Sequence, residues 1–170
     1  MPALRLSRIA LVATNAVFFA LVALGNVTDY PSNFAFVQHV LAMDTTFKSP
    51  NLMWRAITAP SLHHTAYLAI IAWEILTAVL LLVGTVRLWQ ARHATRAAFA
   101  AARATAIHGL TAGFLLYGLG FNAVGGEWFA RGQSQTWNGQ RAAGIFLIVI
   151  GVALVHLCGP EAADEAPAGR

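Results

Sequence analysis

Apolar positions in this chain run together in four long stretches, at residues 9–25, 66–86, 105–124 and 142–158, instead of alternating with polar ones. A hydrocarbon layer about 30 Å thick is crossed by roughly 20 mostly apolar residues in helical form. Lipid-facing barrel strands alternate apolar and polar residues, and these runs do not. The pattern therefore predicts four spanning helices. The second run is the clearest, dense in Leu, Ile and Val between Ala69 and Val83, and the fourth, around Gly144 to Val155, is nearly as clear. The first and third are shorter or more polar.

Composition agrees with the pattern. The chain is 58% apolar and 11% charged, about half the usual charged fraction of a soluble domain. That is too little charge to cover a water-facing surface. With a mean hydropathy of +0.61, five Trp and ten Phe, the chain reads as neither disordered, nor collagen-like, nor a nucleic-acid module, despite its net charge of +4. Cys158 is the single cysteine, which excludes an intrachain disulfide and every multi-cysteine metal motif. The expected class is an all-α polytopic membrane protein, a four-transmembrane-helix bundle forming one membrane domain over residues 1–158. The tail 159–170 lacks apolar periodicity and reads as disordered and cytoplasmic.

Basic residues set the orientation. Arg5 and Arg8 precede the first run, and Arg87, Arg92, Arg96 and Arg103 fill the link between the second and third. Because positively charged loops stay on the cytoplasmic side, both termini are expected inside. The link 88–104 reads as helical extensions whose cations meet anionic head groups. The basic start, apolar run, Ala23 and Gly25 also fit a cleavable signal peptide, which would leave three spans. An uncleaved anchor is favoured, because the polar stretch that follows reads as built to fold back on the other spans.

The outer loop 26–62 is longer and more aromatic than an ordinary connector. Phe34, Val37 and Leu41 fall at helical spacing after Ser32, and Leu52, Met53 and Ile57 follow Ser49-Pro50. Two short amphipathic helices are predicted there, forming a partly helical periplasmic cap. An aromatic belt at the head groups explains part of this composition; a docking surface is the sharper reading. Asp29, Asp44, Trp54, Arg55, Glu127 and Trp137 are its candidate partner contacts. The Asn26-Val27-Thr28 sequon is read as a chance occurrence.

Within the spans, Glu74 stands out. A carboxyl group at such depth is costly unless hydrogen-bonded, paired or neutral, which makes it a functional candidate. It suits proton handling, a hydrogen bond to a quinone-like ligand, or a bond to an adjacent helix, with Asn15 and Asn122 as partners. His108 and His156 lie at similar depths on the third and fourth spans, where a facing pair would ligate haem b. His39, His63 and His64, with Asp44 and Glu127, show no ordered metal spacing, so no metal site is assigned. No nucleophile elbow, P-loop or dinucleotide fingerprint occurs. The reading leans away from an enzyme and assigns no catalytic residue. Gly118 and Gly120 suit close helix packing, and Gly125-Gly126 a break into loop.

Several outer strings are distinctive: Asn26-Val-Thr-Asp-Tyr30, Ser32-Asn-Phe-Ala-Phe-Val-Gln-His-Val40, Met43-Asp-Thr-Thr-Phe47, Met53-Trp-Arg-Ala-Ile57, Gly126-Glu-Trp-Phe129 and Gln135-Thr-Trp-Asn-Gly-Gln140. On these the chain resembles a bacterial family of predicted small integral membrane proteins, the domain of unknown function 2165 family, from Asn26 to about His156. The resemblance implies a bacterial membrane location and brings no catalytic residues. The leading functional expectation is a non-catalytic accessory or scaffold subunit, contacting lipid and a membrane-protein partner or a second copy, but no nucleic acid. The alternative is a quinone- or haem-binding electron-transfer subunit using Glu74, His108 and His156. A small solute or proton pathway comes third.

Overall fold

The protein is seen in a computed structural model that describes residues 2–160, and every described element is helical. In chain order these are α1 (Pro2–Thr28), α2 (Tyr30–Ala42), a 3-10 turn (Met53–Arg55), α3 (Pro60–Gln90), α4 (Arg96–Ala102) and α5 (Ala104–Leu115). A widened helical stretch (Leu116–Trp128), a second 3-10 turn (Arg131–Gln133) and α6 (Gln140–Cys158) follow. Four segments are long and apolar enough to cross a membrane: Ala3–Thr28, Pro60–Gln90, Arg96–Trp128 and Gln140–Cys158. Each outruns the apolar stretch that predicts it, because helical hydrogen bonding is the simplest way to satisfy backbone groups beyond the apolar run.

The seam of the bundle is written at heptad-like spacing. α1 buries Val12, Phe19 and Asn26, and α3 buries Tyr67, Glu74 and Leu81, seven residues apart in each helix. Two helices with such stripes pack along their lengths. Outward-facing side chains are themselves apolar, among them Leu68, Leu76, Ile148 and Val155, as contact with hydrocarbon allows. α3 and α5 come closer than side chains permit. A Cβ added to Gly84 would lie 2.8 Å from Ala106 Cα, one on Gly109 would lie 2.8 Å from Leu81 Cγ, and one on Gly113 would lie 2.6 Å from Phe19 Cζ. The closest packing glycines are thus Gly84, Gly109 and Gly113, and Gly118 also packs tightly, an added Cβ standing 3.3 Å from Leu147 Cδ1 of α6. Gly120 makes only ordinary contact, and Gly125-Gly126 is no loop break but part of the widened helix.

Arginines at the opposite end from α2 close helix termini. Arg8, 1% exposed, donates from Nε to His156 O (3.1 Å) and from Nη2 to Gly159 O (2.7 Å) and Pro160 O (3.0 Å). Arg103 Nη1 reaches Leu157 O and Gly159 O at 3.0 and 3.1 Å. Arg5 Nη1 donates to Ala94 O at 2.6 Å, beyond the end of α3. Helix C-termini carry unpaired carbonyls and partial negative charge, so guanidinium groups suit them. Arg5 and Arg103 also lie over the Phe99 ring, at 4.6 and 5.7 Å. These cations are internal fastenings as much as topology signals.

The segment between α1 and α3 differs in detail from its pattern. α2 begins after Asp29, not Ser32; Ser32 lies in the first turn and donates its hydroxyl to Asp29 Oδ1 at 2.9 Å. Ser49-Pro50 starts only a single turn. Ala56 is extended and Ile57 N turns away to Leu41 O at 2.9 Å, so no second full helix forms. α2 packs through Val37 against Tyr67 and Ile71 of α3, and through Val40 and Met43 against Phe129 and Ala130. Thr45 Oγ1 donates to Ser134 Oγ at 2.9 Å, joining the two connecting segments on this side. Of the tail expected to be disordered, residues 161–170 lie outside the described residues.

Gly84→Val should lower unfolding stability in detergent by about 1–3 kcal/mol, because the Ala106 backbone has nowhere to move. Gly144→Ala, with nothing within 4 Å of an added Cβ, should be neutral or stabilising by up to about 1 kcal/mol. Thermal melts of both variants in one detergent check this; equal melting would contradict the close α3–α5 approach.

Candidate functional site

The last turn of α1, the middle of α3 and α2 above them enclose a polar cluster. Asn26 Nδ2 donates to Glu74 Oε2 at 2.7 Å, and the Tyr67 hydroxyl donates to Asn26 O and Oδ1 at 3.2 and 3.3 Å. All three residues are buried. Asn26 is therefore fixed on both sides, with its oxygen toward Tyr67 and its amide nitrogen toward Glu74. A buried polar group without a partner costs several kcal/mol in such surroundings, and this arrangement provides the partners. It also spends the side chain of the Asn26 sequon.

Two cavities lie beside the cluster. One, of about 240 Å³, is lined by Asn26, Tyr67, Glu74, Tyr117, Phe121 and Phe146, among others. Tyr117 has no hydrogen bond on its hydroxyl among the described residues. The other, of about 230 Å³, is lined by Val40, Ala66, Gly125, Phe129 and Arg131, among others. Phe36, Val37, Ile70 and Phe121 belong to the walls of both. Along one side of these cavities the third span winds with five-residue hydrogen-bond spacing over Leu116–Trp128, ending with Phe129 N on Val124 O at 3.0 Å. Such winding is ordinarily confined to single turns and is frequent at functional sites.

Arg131 is the unexpected member. Ala130, in left-handed conformation at φ 51°, turns the chain after the widened helix, and Arg131 follows it inward. The side chain is 1% exposed, and its Nε and Nη2 have no hydrogen-bond partner. Its guanidinium carbon lies 5.6 Å from the Phe36 ring centre and 5.9 Å from that of Phe121. Burial lowers its pKa from the ordinary guanidinium value.

The sequence-derived residues are distributed as follows. Glu74 sits at the centre, but its partner is Asn26 rather than Asn15 or Asn122; Asn15 donates to Leu11 O within its own helix. His108 is exposed on α5, and His156 Nε2 shares a 2.9 Å hydrogen bond with Ser7 Oγ, so neither reaches the cavities beside Glu74. Arg55 lies against Trp54 and Trp128, 5.5 and 4.7 Å from their ring centres, and the two indoles meet edge to face. Glu127 is exposed next to them in sequence. Asp44 bonds His39 at 2.7 Å, and His39 stacks on Trp137 at 4.7 Å. Asp29 stands apart with Ser32. His63 is bonded to Ile57 O and His64 to the Tyr30 hydroxyl. Among the described residues no group of three or more His, Cys, Asp or Glu is placed to hold a metal ion.

Asn26→Leu should destabilise the protein by about 1–3 kcal/mol by stranding the Glu74 carboxyl group. Adding Glu74→Leu should restore part of that loss, because no polar group is then left without its partner. Additive losses in a double-mutant cycle of thermal melts would show that the two side chains do not interact.

The family model described as "Predicted small integral membrane protein (DUF2165)" matches residues 4–160. No curated protein and no solved structure matches the chain. Its four long apolar helices agree with that description, and over nearly its whole length the chain belongs to the family of predicted small integral membrane proteins, DUF2165.

Proposed function

We propose that this protein is a non-catalytic accessory protein of the bacterial inner membrane, with both termini cytoplasmic, that seats the head of a small quinone-like molecule in the Glu74 cavity. The observation carrying this reading is a buried carboxyl group, bonded by Asn26, which Tyr67 holds in turn, at the wall of an aromatic-lined cavity of about 240 Å³. Quinone carbonyls accept hydrogen bonds, and Tyr117 offers an uncommitted hydroxyl. Ligand pockets combine mostly apolar walls with a few placed polar groups, as here. At this volume, below the roughly 300 Å³ where drug-sized pockets begin, the cavity suits a single ring and not a whole prenylated molecule. Orientation rests on the arginines of the α3–α5 link and the N-terminus.

Decylubiquinone, added to the detergent-purified protein, should quench Trp fluorescence saturably. Tyr117→Phe, and Glu74→Leu made together with Asn26→Leu, should each weaken that binding about 3- to 10-fold, since each removes a group able to donate to a quinone carbonyl. Quenching that never saturates, or that both variants leave unchanged, would rule the seat out.

A second reading, docking to a partner or a second copy, is favoured by Trp54 and Trp128, 69% and 45% exposed around Arg55. If it holds, crosslinking in native membranes should give a reproducible product that the double change Trp54→Ser, Trp128→Ser removes while decylubiquinone binding persists. A product unaffected by the change would place the contact elsewhere.

A further inference from the structure

The Glu74 cavity reaches the surface of the bundle between α1 and α6. Ser7 pairs with His156 and, further along, Phe18 with Phe146 at 4.8 Å between ring centres, so these two helices run antiparallel. Beyond the Phe18–Phe146 pair, toward α2, no hydrogen bond or ring contact joins α1 to α6 among the described residues. One helical turn on in each helix stand Val22 and Ala142, and both line the cavity. Ala142 is exposed, and Val22 and Phe146 are half-buried, so this wall of the cavity is also a face of the bundle. The gap follows from side-chain size. A pair of phenyl rings sets the separation of the helices, and a valine and an alanine are too short to close it.

The depth of this gap decides what can use it. α6 has 19 residues and so spans about 28 Å, close to the thickness of the hydrocarbon layer. Ala142 and Phe146 therefore lie about 3 and 9 Å inside one face of that layer. The gap gives onto the hydrocarbon of the leaflet on the α2 side, with Asn33 of α2 and Gly139 at its rim. Phe146 in turn lies 5.1 Å from Tyr117 between ring centres, so the way in leads to the residue that offers a hydroxyl group. A cavity that holds a ring but no tail needs a place for the tail, and an apolar gap onto lipid provides one.

We propose that the gap between Val22 and Ala142, floored by the Phe18–Phe146 pair, is the doorway of the Glu74 cavity, and that its ligands are accordingly dissolved in the membrane: a ring with an alkyl or prenyl tail, the ring inside and the tail left in the gap and the leaflet. The nature of the ring rests on the quinone-like seat. The doorway rests on the placement of α1 and α6 alone, so either reading can fail without the other.

Carbodiimides read the doorway without any quinone, because they add to a carboxylic acid and rearrange to a stable N-acylurea with no other reactant. The full chain, reconstituted in phosphatidylcholine vesicles, is treated with membrane-dissolved diisopropylcarbodiimide or with the cationic, water-soluble ethyl(dimethylaminopropyl)carbodiimide. Mass spectrometry follows the adduct on the Glu74 peptide relative to that on exposed Glu127. We expect this ratio to be about tenfold or more higher with the apolar reagent, since a cation is kept out of hydrocarbon. Ala142→Phe and Val22→Phe, which fill the gap from its two sides, should each slow Glu74 labelling about fivefold or more. Ala66→Phe, which touches only the other cavity, should leave it unchanged. Excess decylubiquinone should protect Glu74; labelling that it does not slow would discard the quinone-like ring and leave the doorway standing. Equal ratios with the two reagents, an unlabelled Glu74, or rates that neither Ala142→Phe nor Val22→Phe changes would overturn the doorway. Should those variants fail to fold, the two reagents on the unaltered chain decide it alone.

Discussion

A single hydrogen bond, from Asn26 Nδ2 to Glu74 Oε2, organises half of this molecule. It joins the end of the first helix to the middle of the third, in surroundings where water does not compete for either group. Tyr67 holds the other side of Asn26, and Tyr67 in turn packs with Tyr30 and Phe34 of α2, 4.7 and 6.1 Å between ring centres. The placement of α2 across the bundle therefore traces back to the same bond. The cavity walls inherit their positions from it, since α2 supplies one side and α3 another.

The widened stretch Leu116–Trp128 is the counterpart on the other side of the cavities. Tight packing through Gly84, Gly109 and Gly113 holds α5 to its neighbours, and beyond Leu115 the backbone changes its winding. One half of the third span is thus close-packed and the other half borders open space. Arg131 enters from just past the end of this stretch. Its burial follows from local backbone conformation at Ala130, with no help from its own side-chain preferences.

The spans were readable because lipid demands uninterrupted apolar length, a requirement visible in any sliding window. Their ends were not, because the same helices continue through polar residues whose backbone bonds a hydropathy pattern does not register. That is why Asn26 read as loop and went unnoticed as the partner of Glu74, although Glu74 itself was conspicuous. α2 was legible from Phe34, Val37 and Leu41; the helix expected after Ser49-Pro50 shrank to one turn because Ile57 pairs with Leu41 instead. Arg131 carried no signal at all. An arginine in a polar connecting segment is ordinarily solvated, and only the three-dimensional path of the chain puts it against Phe36 and Phe121.

The arginine clasp at the opposite end bears on how the protein is made. Arg8 precedes its carbonyl partners at His156, Gly159 and Pro160 by 148, 151 and 152 residues, so it leaves the ribosome well before them. α1 can thus enter the bilayer early but cannot reach its final seat until α6 has been made. Assembly closes from α6 back onto α1. A tag or truncation near residue 160 would accordingly act on the first helix as much as on the last.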